Sequence, residues 1–327
     1  FTRLRSNKNI NEVQQKNIEC SNSLIKFAIE DGNFLREAWP IVMEELSAME
    51  TLKNDPRLTN VFDEAETLFS NSFTKLDHES IINFIEAICN VSYHELNHNP
   101  PRTYMLTMLN TVLNLNINRE HITWSKIWNT VVEYLKSVVL NYDTEVSILT
   151  LDLLRQIALS FLKREEQLQY HFQARFMQPF VDIFLTSTNI TVQKHILISI
   201  QQIIQAVSPN IQSGWDSIFE ILNSGINIPE TKEICFECLT YLVENQLEVL
   251  KLYLDKLISL SILLLSFSEK SITYIPEICQ FVNVQDNSKL IDIFEIYAVN
   301  YKSFQNEEHL QELIYESLVY ILQYFIE

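Results

Sequence analysis

Glycine is scarce in this chain of 327 residues, which holds only 3 Gly and 8 Pro. Folds with strands, tight turns and phosphate-binding loops usually need more glycine. Gly32, Gly214 and Gly225 are too far apart to form a phosphate loop or a dinucleotide-binding fingerprint, and no Gly-x-Ser-x-Gly sequence occurs. The composition therefore favours helices joined by short turns that contain Asn and Ser.

Long apolar runs and basic residues are also few. The most apolar stretch, residues 258–267, is about half as long as the ~20 residues that cross a bilayer, so we expect a buried helix there. The chain has 24 Lys and Arg against 42 Asp and Glu, a net charge of −18. Such a field repels nucleic acid and anionic lipid unless a local basic patch overrides it. We therefore expect no nucleic-acid partner.

The cysteine count and the first residues bear on the compartment. Five cysteines, an odd number in a long chain, fit a reducing compartment better than a disulfide framework. The chain begins at Phe1 and carries no signal-peptide pattern. We therefore expect a segment of a longer, cytoplasmic protein.

Helical periodicity recurs almost throughout the chain. In one clear example Ile81, Ile85, Ile88 and Ser92 form an apolar stripe, and Asp77 is the predicted N-cap. Breaks with cap or turn residues separate the predicted helices. They fall at 54–56, 99–101, 116–118, 141–144, 186–189, 208–210, 223–229 and 284–288.

Three of the predicted helices share an apolar residue followed by apolar residues five and eight positions later. Successive copies begin 46 and 42 residues apart, within the ~40–47 residues of HEAT and armadillo units. The shared positions are Val146, Leu151 and Leu154, then Val192, Leu197 and Ile200, then Ile234, Leu239 and Leu242. Each helix pair leaves an apolar face that only a neighbouring pair can cover. We therefore predict an all-α fold, an α-solenoid of HEAT/armadillo-like repeats.

The stretch HELNH, residues 94–98, matches the zinc-binding pattern H-E-x-x-H. A zinc site needs both imidazoles on one rigid face, together with a third ligand. His94 falls on a polar stripe, and His98 precedes the prolines of residues 99–101, where helix is disfavoured. We therefore favour a solvated histidine together with one near a helix C-terminus, where its charge is tolerated. A zinc hydrolase built on His94, Glu95 and His98 is kept as a minor hypothesis.

Other motifs that could carry chemistry are weaker. Cys235 and Cys238 form C-x-x-C within a repeat helix, and a structural zinc would need a second pair, so we predict small core residues. The four tryptophans have helical spacing and are predicted to be core residues as well. Neighbouring acidic residues have no acid–base partner nearby. The sequence predicts no catalytic residue, no metal site and no cofactor.

Basic residues cluster in two places, which could orient the chain on a membrane or on an acidic partner. Ordinary solvent-exposed charge is the alternative that we favour. The clusters are Arg3, Arg5 and Lys8, and then Lys163, Arg164 and Arg175.

Six short motifs follow one another along the chain: Gln15-Lys16-Asn17-Ile18, Asp31-Gly32-Asn33, Pro101-Arg102, Trp124-Ser125-Lys126-Ile127-Trp128, Leu154-Arg155-Gln156 and Ser213-Gly214-Trp215. In their sequence and order they resemble the large Arf guanine-nucleotide exchange factors of the trans-Golgi, the BIG/Sec-seven family. The chain resembles the first homology region downstream of the family's catalytic domain, from residue 13 to about 222. The segment between Leu52 and Leu68 is shorter than in the family. We assign residues 1–230 to the homology region and 231–327 to further helical repeats of the same solenoid.

The resemblance also implies a function. The family's exchange domain carries a glutamate within a stretch that resembles FRLPGEAQKIDR, and this chain has no such stretch. The resemblance therefore implies a non-catalytic, regulatory segment whose partners are GTP-bound Arf and other domains of the same factor. It also implies recruitment through a partner to trans-Golgi and endosome membranes, and control of autoinhibition.

The expected partner or membrane surface includes Arg155 and Gln156, with Lys163, Arg164 and Arg175 as basic candidates. Arg155 could equally be structural, closing a ladder of contacts between repeats. The alternative function is a generic HEAT-repeat scaffold or adaptor in vesicle trafficking that lacks an exchange domain.

Overall fold

The computed structural model of the chain describes residues 15–164, 172–281, 287–304 and 307–326. Within these ranges there is no β-strand, and helices cover nearly all of the chain. The residues form two compact units, Phe1–Phe161 and Leu162–Glu327. None of the helices in the described ranges is both long and apolar enough to cross a bilayer.

The first unit consists of two layers of helices. Its helices are α1 (Gln15–Asp31), α2 (Trp39–Glu50), α3 (Thr59–Ser70), α4 (Ser72–Lys75), α5 (Ser80–Leu96), α6 (Tyr104–Asn116), α7 (His121–Asn141) and α8 (Thr144–Leu162), which ends at the boundary. One layer runs from α1 through α3 to α6, and the other from α2 through α5 to α7. The layers meet chiefly between α5 and α6.

The second unit repeats this arrangement. Its helices are α9 (Phe172–Thr186), α10 (Ile190–Val207), α11 (Gly214–Gly225), α12 (Lys232–Gln246), α13 (Leu254–Leu263), α14 (Lys270–Thr273), α15 (Ile275–Cys279), α16 (Asn287–Ser303) and α17 (Glu308–Ile326). One layer contains α9, α11, α13 and α16, and the other α10, α12, α14 and α17. The predicted all-α class of stacked helical repeats is confirmed in each unit.

The apolar positions that the three repeat helices share lie in the core. Of the nine shared positions, eight are buried, and Ile234 is half-buried because the neighbouring Cys235 takes the interior position in α12. The four tryptophans are buried as predicted. The helix breaks also fall where the sequence places them, although 284–288 lies partly outside the described residues. The proposed division at about residue 230 stays a prediction.

The side chain of Asp77, three residues before the first residue of α5, caps the start of this helix as the sequence predicts. Its Oδ1 accepts hydrogen bonds from the backbone N–H groups of Glu79 (3.1 Å) and Ser80 (2.8 Å). These donors would otherwise lack a partner at the helix start. The hydrogen bond from Ser80 is the main reason why the pKa of Asp77 lies below its ordinary value.

Candidate partner-binding surface

In the HELNH stretch, residues 94–98, the two histidines are exposed and the glutamate is buried. His94 and His98 lie at the surface, whereas the side chain of Glu95 is 1% exposed. α5 ends at Leu96, so His98 lies beyond the helix. Within the part of the chain that the structure describes, no group of three His, Cys, Asp or Glu side chains is placed to hold a metal ion. The glutamate that a zinc hydrolase would use as a base is thus shielded from solvent, whereas both histidines are exposed.

Glu95 fixes the turn between α5 and α6. Its Oε1 accepts a hydrogen bond from Ser47 Oγ on α2 (2.5 Å), and its Oε2 accepts one from the backbone N–H of Met105 (2.8 Å). Its carbonyl oxygen accepts from the backbone N–H groups of His98 (3.1 Å) and Arg102 (3.0 Å). The Arg102 guanidinium also donates to the Ser47 carbonyl and lies 3.5 Å from the Glu95 carboxylate. The Pro-Arg motif of the sequence therefore has a structural role here.

Burial raises the pKa of the Glu95 carboxyl above its ordinary value of 4.5. Removal of the carboxylate from water is the largest cause, and the hydrogen bonds from Ser47 and Met105 oppose it. The folded chain therefore takes up a proton at Glu95 at a higher pH than the unfolded chain does. As the pH falls from neutrality towards 4.5, the cost of burying this charge is relieved, and the contribution of Glu95 to stability increases.

The variant Glu95→Gln isolates this effect, because glutamine has a similar shape and does not titrate. We expect the wild type to gain stability relative to Glu95→Gln as the pH is lowered from 7 to 5. Each tenfold difference in proton affinity between the folded and unfolded states is equivalent to about 1.4 kcal/mol. Urea unfolding of both proteins at several pH values measures the difference and cancels the titration of the other carboxylates. A difference in the free energy of unfolding that does not change with pH would contradict the assignment.

The Asp31-Gly32-Asn33 motif joins the end of α1 to the start of α5. Asn33 Nδ2 donates to the Lys75 carbonyl (3.1 Å), and Asn33 Oδ1 accepts from the backbone N–H of Asp77 (2.9 Å). A Cβ atom on Gly32 would lie 2.8 Å from Leu76 Cδ2 and 3.1 Å from the Trp39 ring. A side chain at this position would force Leu76 or the Trp39 ring to shift, so glycine suits the close packing here, and the motif holds helices together.

Arg119, in the turn after α6, is a buried cation that sequence reasoning missed. Its guanidinium donates to the backbone carbonyls of Ser72 (2.8 Å), Phe73 (3.0 Å) and Leu76 (2.8 Å), and to Asn116 Oδ1 (2.6 Å). It also lies over the Phe73 ring, 5.4 Å from the centroid. Burial lowers the pKa of Arg119 from its ordinary value. The bonded carbonyls lie within α4 and directly after it, so Arg119 provides hydrogen-bond donors to backbone groups about 45 residues away in the sequence.

The motifs of the second unit are structural in the same way. Gln173, on α9, is fully buried, and its Nε2 donates to the Asn210 carbonyl (2.9 Å) while its Oε1 accepts from the backbone N–H of Gln212 (2.7 Å). Ser213 Oγ accepts from the backbone N–H of Ala174 (3.1 Å). These bonds join the start of α9 to the turn before α11.

Leu154-Arg155-Gln156 divides between core and surface. Leu154 is buried, Gln156 is exposed, and Arg155 is half-buried with its guanidinium 3.3 Å from Asp152, one turn earlier in α8. The hydrogen bond to another helix comes from Gln156, whose Oε1 accepts from Asn110 Nδ2 on α6 (2.8 Å). This pair links positions that are 46 residues apart. Arg155 and Gln156 thus present polar groups at the surface of the first unit.

The basic candidates belong to the second unit. Lys163, Arg164 and Arg175 are exposed. The basic cluster at residues 3–8 lies outside the described residues. That Lys163, Arg164 and Arg175 contact a partner stays a prediction. The same holds for Arg155 and Gln156.

The cysteines lie mostly in the core. Cys235 and Cys238 are buried as predicted, and burial raises the pKa of Cys235 to about 12. Cys89 and Cys279 are buried too, and burial raises the pKa of Cys279 to about 12. Cys20 on α1 is exposed. All five thiols are free.

Several polar side chains of the motifs, such as Asn33, Arg102 and Ser213, thus join one helix or turn to another. Stacked helix pairs joined by such bonds define a helical-repeat protein, a class that offers extended surfaces for binding. The Mon2/Sec7/BIG1-like HDS family matches residues 160–228.

Longer matches connect the chain to guanine nucleotide-exchange proteins. Brefeldin A-inhibited guanine nucleotide-exchange protein 4 of Arabidopsis thaliana is 26% identical over 313 residues, covering 72% of this chain and 18% of the relative. Protein 2 of the same series and organism is 32% identical over 54% of this chain and 10% of the relative. Human brefeldin A-inhibited guanine nucleotide-exchange protein 1 is 25% identical over 68% of this chain and 15% of the relative.

The resemblance found in the sequence is confirmed: residues 160–228 match the Mon2/Sec7/BIG1-like HDS family, and much of the chain is similar to brefeldin A-inhibited guanine nucleotide-exchange proteins. It spans less than a fifth of the length of these relatives. The crystal structure of an engineered protein aligns with 98% of the chain at 13% identity, but its TM-score of 0.37 is too low to support an argument.

Proposed function

We propose that this chain is a non-catalytic, regulatory segment of a large Arf guanine nucleotide-exchange factor and that it binds GTP-loaded Arf. The homology to the HDS region of guanine nucleotide-exchange proteins supports this proposal more than any other observation. Through this partner the segment would be recruited to the cytoplasmic side of trans-Golgi and endosome membranes. Contacts with other domains of the same factor would let the bound GTPase relieve autoinhibition.

The surface chemistry is compatible with a protein partner. Gln156 is exposed and Arg155 is half-buried at the surface of the first unit. Arginine is enriched where protein interfaces have their strongest contacts. We therefore propose Arg155 and Gln156 as contact residues, with Lys163, Arg164 and Arg175 as a second, electrostatic contribution.

The test compares the retention of Arf loaded with a GTP analogue and Arf loaded with GDP on the immobilised chain. We expect clear retention of the GTP form only. Arg155→Glu should weaken it on the order of tenfold. Because the Arg155–Asp152 pair is within one helix and partly exposed, its loss should cost only about 0.5 kcal/mol of stability.

Lys126→Glu is the matched control, since Lys126 is an exposed cation on α7 of the same unit. It should leave retention unchanged. Equal retention of the GTP and GDP forms would contradict nucleotide-sensitive binding and would support the alternative, a general trafficking scaffold. Equal losses in Arg155→Glu and Lys126→Glu would show that only the overall charge matters.

A further inference from the structure

An open groove with a volume of about 540 Å³ lies in the second unit, between α11, α13 and α16. Three acidic residues and one lysine line it, namely Asp216, Glu220, Asp255 and Lys256. The groove therefore has an excess of two negative charges. A cleft lined mostly by one sign of charge concentrates the field between its walls and attracts the opposite sign.

Lys256 shows which kind of group fits this groove. Its ammonium group forms an ion pair with Asp216 and lies over two aromatic rings, 5.5 Å from the centroid of Tyr253 and 5.9 Å from that of Phe219. The two rings are stacked, with their centroids 6.0 Å apart. A cation over aromatic faces and beside a carboxylate is favourable for lysine and arginine alike. The chain's own lysine thus occupies one cation position of the groove.

Next to Lys256 the groove has acceptors that the described chain does not use. Glu220 is exposed and forms no ion pair or hydrogen bond with another described residue. Asn223 also lines the groove, and its side-chain oxygen is enclosed without a donor in the described part of the chain. An enclosed acceptor without a donor is unfavourable, and a rotation of the amide presents this oxygen to a ligand. An ammonium or guanidinium group brings several donors for such acceptors.

The spacing of the acidic residues fits an extended peptide. Asp216 and Glu220 are four residues apart on α11, which is about 6 Å along the helix axis. Alternate side chains of an extended segment point to the same side and are about 7 Å apart. Lysine or arginine at every second position would therefore meet the two acidic residues in turn. The side chain of Lys256 is 35% exposed, so it can leave Asp216 to such a residue.

We propose that this groove binds an extended, basic segment of a partner protein, with lysine or arginine at alternate positions. This inference does not depend on the proposed function. Anionic lipid and nucleic acid are poorer occupants, because the excess of acidic residues repels both. A metal ion is a poorer occupant too, since no three His, Cys, Asp or Glu side chains of the described ranges are placed to hold one.

The test measures, by fluorescence anisotropy, the affinity of the whole chain for a labelled ten-residue peptide of alternating lysine and serine. Glu220→Gln should weaken binding on the order of fivefold. The matched control is Glu233→Gln, which removes the same charge at an exposed position of α12 outside the groove. The control should bind as the wild type does. Both variants should unfold at the wild-type temperature, because both side chains are exposed.

Lys256→Ala separates the groove from any loss of folding, because a gain of affinity is expected. Without the resident ammonium group, Asp216 and the rings of Phe219 and Tyr253 become available to the peptide. This variant should bind the lysine peptide several-fold more tightly. Lys232→Ala is the matched control, since Lys232 is a partly buried lysine of α12 that does not line the groove. It should bind as the wild type does.

Weaker binding in Glu220→Gln together with tighter binding in Lys256→Ala would support the proposal. Absence of binding by the wild type would overturn it. Equal changes in the groove variants and in their controls would overturn it too, since the peptide would then follow only the overall charge. If spermidine binds as tightly as the peptide and is weakened equally by Glu220→Gln, the occupant is a small cation and the proposal is wrong. No Arf is present, so none of these results decides the proposed function.

Discussion

Replacing Arg119 by alanine is expected to lower the free energy of unfolding by about 3–5 kcal/mol. The guanidinium is the donor for the carbonyls of Ser72, Phe73 and Leu76 and for Asn116 Oδ1. Its removal leaves these acceptors in a place that is largely closed to water. Each buried acceptor without a donor costs about 1–3 kcal/mol, and relaxation of the turn reduces the total.

Urea unfolding followed by circular dichroism measures this effect. Arg175→Ala serves as the control, because Arg175 is an exposed arginine. The control should change the free energy of unfolding by no more than about 0.5 kcal/mol. If Arg119→Ala and Arg175→Ala are equally stable, the structural role of Arg119 is wrong.

The second large effect is expected for Glu95→Ala, about 3 kcal/mol of stability. This change removes the acceptor of the Ser47 hydroxyl and of the Met105 backbone N–H, and it leaves the half-buried Arg102 without one of its two carboxylates. The turn between α5 and α6 would lose the group that connects it to α2. Thermal unfolding at neutral pH, where the wild-type contacts are intact, provides the measurement.

His94→Ala and His98→Ala are the controls, since these two exposed residues belong to the same five-residue stretch. Each should cost less than about 0.5 kcal/mol. A large loss of stability in Glu95→Ala beside small losses in His94→Ala and His98→Ala would show that the HELNH stretch has a structural role. A zinc hydrolase would instead require both histidines, with loss of stoichiometric zinc in His94→Ala.

Local patterns were sufficient to predict the class of fold. The apolar spacing of the repeat helices indicated the buried residues, because helical periodicity depends only on neighbours along the chain. The same logic was off by one residue at Ile234, where Cys235 is more buried. Isoleucine and cysteine are both found in protein cores, so their residue types do not show which of these two adjacent positions faces inward.

Bonds between distant segments could not be predicted in this way. Arg119 donates to carbonyls more than 40 residues away, and Gln173 bonds to backbone groups 37 and 39 residues away. Their sequence context resembles that of any surface turn, since burial of a polar residue depends on the packing of other helices. Phe34 lies in the 32–38 turn between α1 and α2 and is 79% exposed. This exposure was missed for the same reason, because a phenylalanine beside a helix end usually belongs to the core.

The distribution of the five thiols makes the native chain suitable for labelling at one position. Cys89, Cys235, Cys238 and Cys279 are enclosed, and burial raises the pKa of each thiol, so that little reactive thiolate forms near neutral pH. Cys20 alone meets solvent. A maleimide dye will therefore attach at α1 without any mutation and will provide a fluorescent reporter in the same unit as the 32–38 turn.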